Sequence, residues 1–462
     1  MKESVIKLLR SIGFNRAISY GVLAMVWRLV SGPVSMIIVT ANFSREQQGF
    51  YFTISSLLAL QIFFELGLMV VLAQFASHEF AHLNWKDRGL VEGNPIHLGR
   101  FNDLVCKSTR WFGVASLLLV VGLIPTGLFF FGQEHAAAVD FPWRLPWILA
   151  VIGTALNLMV VPFFALIMGS GDVVSVNHRE LVGGVLGVCL SWLVMISHGG
   201  LFAVFATLCG NILVSWVYLV KRKPELLKIA YFGIFRPRAV VSDGARVSWW
   251  DEVWPMQWKI ALSWVSGYFI FQLFNPVLFY YHGPVVAGQM GMTLSASNAL
   301  MGMGMTWLNS RSPEFGKLIA TREWHKLDQL FYGVLSQAFF VVVTGAVAGW
   351  GVIRLLQEYS KVGNRFLPTD QVAFLLAAVC VQLVGSGLAV YLRAHKQEPF
   401  LLLSIFNAIV QGAATWWLGM LFSSKGITLS VLFISLLTTV IGYVIWQRCR
   451  ENWHKYGDTR SS

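Results

Sequence analysis

Charged residues are scarce in this sequence. Asp, Glu, Lys and Arg supply 13% of the 462 residues, while hydrophobic ones supply 56%. A water-soluble chain of this length could not cover so much apolar surface, whereas a bilayer could. Cysteine is sparse too. The five (Cys106, Cys189, Cys209, Cys380, Cys449) are scattered and form no C-x-x-C pair, which reads as isolated structural thiols rather than disulfides or metal ligands. No nucleotide-binding signature such as G-x-x-x-x-G-K-[ST] occurs, so direct drive by ATP is not expected. Met1 to Arg16 lacks a short apolar core followed by a cleavage site, so no cleaved signal peptide is expected.

Long apolar runs are what the chain has instead. Mean hydropathy is +0.62. Runs long enough to cross a hydrocarbon core of roughly 30 Å fall near 18–40, 49–75, 111–132, 146–169, 181–198 and 200–220, then near 256–281, 285–308, 329–353, 370–392, 399–421 and 428–447. Two of the divisions rest on small-residue breaks, His198-Gly199-Gly200 and His282-Gly283-Pro284, because the flanking runs are too long for one span. The expectation is an all-α, multi-pass membrane protein with twelve transmembrane helices in two six-helix bundles. The bundles cover 1–220 and 256–462, with a basic cytoplasmic linker at 221–255.

Placing the N-terminus inside puts 28 Lys and Arg residues on the cytoplasmic side and 6 in external loops, with Arg28 left inside the first span. That bias predicts two cytoplasmic termini. It also accounts for the net charge of +12 without nucleic acid, since the basic segments would lie against anionic lipid headgroups.

One short motif points elsewhere. FASHEFAHLNW, residues 75–85, contains H-E-x-x-H, in which His78 and His82 would hold zinc and Glu79 would activate its water. His78 falls just past the second span, however, and no later span offers an aspartate as third ligand. Asp243 sits in the basic stretch and Asp370 at the edge of the tenth span. The motif therefore reads as a second helix running on into the cytosol with His78, Glu79 and His82 solvated, and no metal or other cofactor is expected.

An internal repeat carries more weight. GPVSMIIVTANFSREQQGFYFTISSLLAL, from Gly32, matches NPVLFYYHGPVVAGQMGMTLSASNAL, from Asn275, pairing Pro33 with Pro276, Gly49 with Gly291, Thr53 with Ser295 and Ser55 with Ser297. Parallel repeats about an axis along the membrane normal suit alternating access.

The stretch RLVSGPVSMIIVTANFSREQQGFYFTISSLLALQIFFELGL (Arg28 to Leu68) resembles the first two helices of bacterial polysaccharide flippases. FNPVLFYYHGPVVAGQMGMT and SPEFGKLIATREWHKLDQLF resemble their seventh-to-eighth-helix region and the loop after it. These are the Wzx-like O-antigen transporters, in the superfamily that also holds MATE drug exporters and lipid II flippases. The resemblance implies a MATE-like fold in the bacterial inner membrane. It implies transfer of an isoprenoid-diphosphate-linked oligosaccharide to the outer leaflet for lipopolysaccharide or other surface-polysaccharide synthesis, with other polysaccharide-assembly proteins as partners. It also implies a cavity lined chiefly by helices 1, 2, 7 and 8, with basic groups facing the diphosphate. No catalytic residue follows from it.

Embedded polar residues supply the candidate substrate-binding groups. Arg28 lies roughly 15 Å into the first helix and Glu65 roughly 16 Å from the cytoplasmic end of the second, so their depths match. As a pair they would be either a structural neutralisation or a switch that a diphosphate or a proton breaks. Gln61 shares the face of Glu65 one turn earlier. Gln272 precedes Pro276 much as Arg28 precedes Pro33, and Asn275, Gln289 and Asn298 complete the set, though each amide could equally make an ordinary interhelical hydrogen bond. Lys259, behind Trp250, Trp254 and Trp258, reads as snorkelling from an interfacial aromatic stripe. Two rivals stay open. One is a MATE-like exporter of small organic cations, which would rely on Glu65. The other is a ligase or polymerase acting on the same lipid, which would need more than the longest external loop, Arg354 to Thr369.

Overall fold

The computed structural model describes residues 16–133, 139–235, 246–395 and 397–458. Asp243, the N-terminal residues before Arg16 and the centre of the basic linker lie outside them.

The described chain is almost wholly helical. The helices are α1 (Arg16–Asn42), α2 (Arg45–Leu58), α3 (Ile62–Glu65), α4 (Leu68–Glu79), α5 (Pro95–Phe131), α6 (Arg144–Gly169), α7 (Val173–Ile196), α8 (Phe202–Arg222), α9 (Pro224–Phe235), α10 (Trp254–Phe271), α11 (Phe274–Ala320), α12 (Trp324–Tyr359), α13 (Thr369–Ala394) and α14 (Leu401–Asp458). Two of the runs are far too long for one crossing at 1.5 Å per residue. One break falls at Gln272–Leu273 and another at Gly283 (φ 83°, ψ 177°), where the sequence places a hairpin. The last run breaks at Ser423 (φ 57°, ψ −147°). Counting α2 to α4 as one broken span, joining α10 across Gln272–Leu273 to the part of α11 before Gly283, dividing α11 at Gly283 and α14 at Ser423, and setting aside the 12-residue α9 gives the twelve expected helices among the described residues. The His198–Gly200 turn separates α7 from α8, with both residues at positive φ. Bulky apolar side chains remain on the outside, among them Ile37 at 68% exposure, Phe340 at 72% and Leu402 at 78%. In water such a surface would aggregate; in lipid it is the solvated face. The protein is a multi-pass membrane protein.

Two spans depart from continuous helices. The second breaks where Leu66 (φ 50°) and Gly67 (φ 65°) are both left-handed. The Leu66 N–H still donates to the Ile62 carbonyl at 2.9 Å, and a Cβ on Gly67 would lie 2.5 Å from Cγ2 of Ile260. Only glycine satisfies both the backbone angle and the packing. The seventh span breaks at Gln272–Leu273, which takes Gln272 out of a helix interior.

The chain separates into two compact units. The first comprises residues 1–42 and 57–265, and the second residues 43–56 and 266–462. In the first, Phe101, Phe112, Phe131 and Trp147 are fully buried. Its α5 starts where Pro95 occupies the first helical position and the Asn94 side chain accepts from the Ile96 N–H at 2.9 Å. Between α4 and α5 runs a short antiparallel hairpin, β1 (Leu83–Trp85) with β2 (Val91–Gly93). In the second unit, Leu308, Phe315, Phe331, Tyr391 and Trp446 centre the core. Within it α2 crosses α11 so closely that a Cβ on Gly49 would lie 1.9 Å from the Pro284 carbonyl oxygen.

Candidate functional site

The first unit holds Arg28, Gln61 and Glu65. Arg28 lies midway along α1 with its side chain exposed, and its Nε donates to the Ala24 carbonyl at 3.3 Å. No ion pair joins it to Glu65 among the described residues. Glu65 is the last residue of α3, at the helix break, and is 8% exposed with no hydrogen-bonding or ionic partner among them. The matched depths along the two helices therefore do not bring the charges together, since the break redirects α3 and a shared depth leaves the facing direction open. Gln61, half-buried, sits in the short turn between α2 and α3.

The second unit holds the four amides, one of which, Asn298, borders a cavity. Asn275 is buried and its Nδ2 donates to Ser56 Oγ at 3.1 Å, an interhelical bond of the ordinary kind. Gln289 Nε2 donates to the Asn364 carbonyl at 3.0 Å, tying α11 to the turn before α13. Gln272 is half-buried at the break. Asn298 is exposed on a cavity of about 500 Å³ built by α10, α11, α13 and α14, which Gln382, Ser386, Arg393, Ser404, Asn407 and Ser435 also line. The sequence reading missed this set, although a signal was present. Gln382, Ser386 and Arg393 recur at helical spacing along one face of α13, as Ser435, Thr438 and Thr439 do along α14.

The H-E-x-x-H stretch forms no metal site among the described residues, which contain no cluster of three or more His, Cys, Asp or Glu able to hold an ion. His78 and His82 are exposed as expected, but Glu79 is not solvated. It is 5% exposed and accepts from His97 Nδ1 at 2.7 Å and Arg100 Nε at 2.8 Å. Arg100 continues to Glu252 at 2.5 Å. One turn along α5, Asp103 accepts from the Val247 N–H at 2.8 Å, Lys107 donates to the Val247 carbonyl at 2.6 Å, and Trp111 stacks on Trp249. These bonds fasten residues 247–252 to α5. Sequence spacing could not show this, because His97 and Arg100 lie 18 and 21 residues beyond Glu79, and Glu252 another 152 beyond Arg100. Removing Glu79 would leave Arg100 without one of its two carboxylates. Glu79→Ala is thus expected to cost about 3 kcal/mol, read as a lower unfolding temperature of the purified protein. His78→Ala with His82→Ala should stay within about 1 kcal/mol and bind no less zinc than wild type. A Glu79→Ala protein as stable as wild type would refute the assignment.

Two further cations of this unit escaped the sequence reading. Arg179, near the start of α7, donates from Nε to Ser215 Oγ at 2.7 Å and lies 4.4 Å from the centre of the Phe164 ring. Lys223 lies over the Trp85 ring at 3.5 Å and 3.8 Å from Asp172. Burial lowers its ammonium pKa from the ordinary value, against the opposing pull of Asp172.

No protein-family model matches this sequence, and no curated protein is similar to it. Solved structures do match. An inward-facing multidrug resistance MATE family transporter of the MOP superfamily superposes with a TM-score of 0.57 at 13% identity, covering 93% of this chain and 99% of its own. The MATE multidrug transporter DinF-BH gives 0.55 at 16% identity over 96% of both chains. A MOP superfamily transporter from Pyrococcus furiosus, described as having a binding pocket of reverse polarity that suggests a different function, gives 0.53 at 12% identity over 95% of both. Identities this low speak to architecture alone, and on that architecture they agree: the chain has the twelve-helix fold of the MATE transporters of the MOP superfamily.

Proposed function

We propose that this protein is a transporter, not an enzyme, that moves an isoprenoid-diphosphate-linked oligosaccharide from the cytoplasmic to the outer leaflet of a bacterial inner membrane by alternating access. Its moving parts in this reading are the six-helix halves 1–220 and 256–462, joined by the basic linker 221–255, with both termini cytoplasmic. The matched fold supports the mode of action, because it occurs in both inward-facing and outward-facing transporters. The observation that carries the substrate class is Arg28, an exposed guanidinium in the middle of a spanning helix that is not neutralised by any carboxylate among the described residues. A cation there cannot face hydrocarbon cheaply, so it faces a watery space and offers a permanent charge to an anion such as a diphosphate. Other polysaccharide-assembly proteins would then receive the exported glycan.

Glu65 favours a second reading. A buried carboxylate without a basic partner suits a small organic cation, as in a MATE-like exporter. Deleting the protein separates the two. Accumulation of a lipid-linked glycan on the cytoplasmic face, with unchanged sensitivity to organic cations, is the expected result. Intact glycan export with increased sensitivity to such cations would replace the first reading by the second.

A further inference from the structure

The cavity in the second unit has a chemistry that neither a cation nor a lipid tail explains. Its uncharged polar lining is amides and hydroxyls, among them Asn298, Gln382, Ser386, Ser404, Asn407 and Ser435, with Thr438 and Thr439 beside them. None of its lining residues is acidic, and the one charged group, Arg393, donates from Nε to Glu398 at 2.9 Å. Gln382 Nε2 donates to Ser435 Oγ at 2.9 Å, leaving its carbonyl oxygen free to accept. The side chains of Asn298, Ser386, Ser404 and Asn407 have no protein partner among the described residues, although all four border the space. Apolar surface is interleaved with these groups, from Phe271 (53% exposed), Phe400, Met301 and Met305.

Each possible occupant can be weighed against this lining. An organic cation would enter without a carboxylate to meet it. A phosphate would find one guanidinium already engaged. An isoprenoid or acyl chain would desolvate the amides and hydroxyls and return no hydrogen bonds, the costliest arrangement for buried polar groups. A sugar ring fits this mixture of polar and apolar groups. Its hydroxyls donate and accept at once, as the amides and hydroxyls opposite them do, and its C–H faces lie against aromatic and thioether surfaces. A volume of about 500 Å³ is in the range of small-molecule sites, roughly 300–1,000 Å³.

We propose that this cavity is a binding site for an uncharged sugar residue, held by Asn298, Gln382 and Asn407 with Phe271 beneath the ring. The proposal rests on the transport reading only for the source of the sugar, the glycan of the lipid-linked substrate. It assigns recognition of the glycan to the second unit, whereas the Arg28 cation belongs to the first.

The test places a diazirine-bearing amino acid at Met305 in the full-length protein, expressed in its native host fed with tritiated sugar. The same amino acid at Phe340, on the outer surface, serves as the comparison. After irradiation, purified protein is digested and its adducts are identified by mass. Sugar-containing adducts at Met305, at least tenfold above those at Phe340, are expected, and Gln382→Leu with Asn407→Leu should reduce them at least tenfold at equal protein amount. Adducts of acyl or isoprenoid chains alone, sugar labelling no higher than at Phe340, or labelling indifferent to the double substitution would each overturn the proposal. If deletion blocks glycan export while the adducts lack sugar, this proposal falls and the transport reading stands. If deletion leaves export intact while sugar adducts form, the reverse holds.

Discussion

Arg28→Ala should abolish glycan export and leave the amount of folded protein in the membrane unchanged. A guanidinium meets a diphosphate through paired, charge-assisted hydrogen bonds worth about 1.5–3 kcal/mol each. Losing two of them would lower transport on the order of a hundredfold or more. Arg28→Lys keeps the charge but loses the fork, so it should retain activity on the order of a tenth. The structural alternative, in which Arg28 neutralises Glu65, predicts loss of protein on removing the arginine alone. That alternative has no support in the geometry, because the guanidinium bonds to the Ala24 carbonyl and Glu65 has no ionic partner among the described residues. The double substitution Arg28→Ala with Glu65→Gln should therefore be well folded and inactive. A well-folded, fully active double variant would rule out substrate binding by Arg28.

The second large effect should come from Gly49. A Cβ at that position would lie 1.9 Å from the Pro284 carbonyl oxygen and 2.8 Å from its Cα, both of them backbone atoms that cannot swing aside. Gly49→Val must push α2 off α11, and a cost of at least about 3 kcal/mol follows from overpacking at a helix crossing. Little monodisperse protein should then be recoverable in detergent. Gly32→Ala is the matching control, because a Cβ there meets nothing within 4 Å. Equal recovery of Gly49→Val and wild type would mean that the crossing is looser than described.

The sequence separates cleanly into what its pattern could and could not disclose. Twelve spans were legible because hydropathy depends on composition alone, and His198–Gly200 and Gly283 marked turns where glycine and proline punctuated runs too long for one crossing. The break after Glu65 was hidden because Leu66 and Gly67 lie in an apolar run whose hydropathy does not change there, and because the requirement for glycine comes partly from Ile260, nearly two hundred residues away. The Glu79 cluster was invisible for the same reason. The proposed site was half-legible: Asn298 stood out as an embedded polar residue, while Gln382 and Asn407 were passed over because each looks like a lone amide in its own helix. Only folding places them around one space. Pro33 and Pro276, paired by the repeat, also end up in different settings, since Pro33 lies within continuous α1 and Pro276 follows the break at Gln272–Leu273.

The seat of α2 in the second unit has a consequence for how the protein is made. Gln48 is 1% exposed, and its Nε2 donates to the carbonyls of Gly288 at 2.8 Å and Arg365 at 3.0 Å, while Arg365 in turn donates to the Phe43 carbonyl at 2.6 Å. These partners are 240 and 317 residues further along the chain. At about 5–20 residues per second of synthesis, Gln48 waits roughly 15–60 s for the second of them. Until residue 288 is made, the nascent α2 carries a primary amide with neither of its final acceptors, beside a helix break. This hairpin is therefore among the last parts to reach its final contacts, and a ribosome stalled before residue 288 leaves it dependent on the insertion machinery or on chaperones.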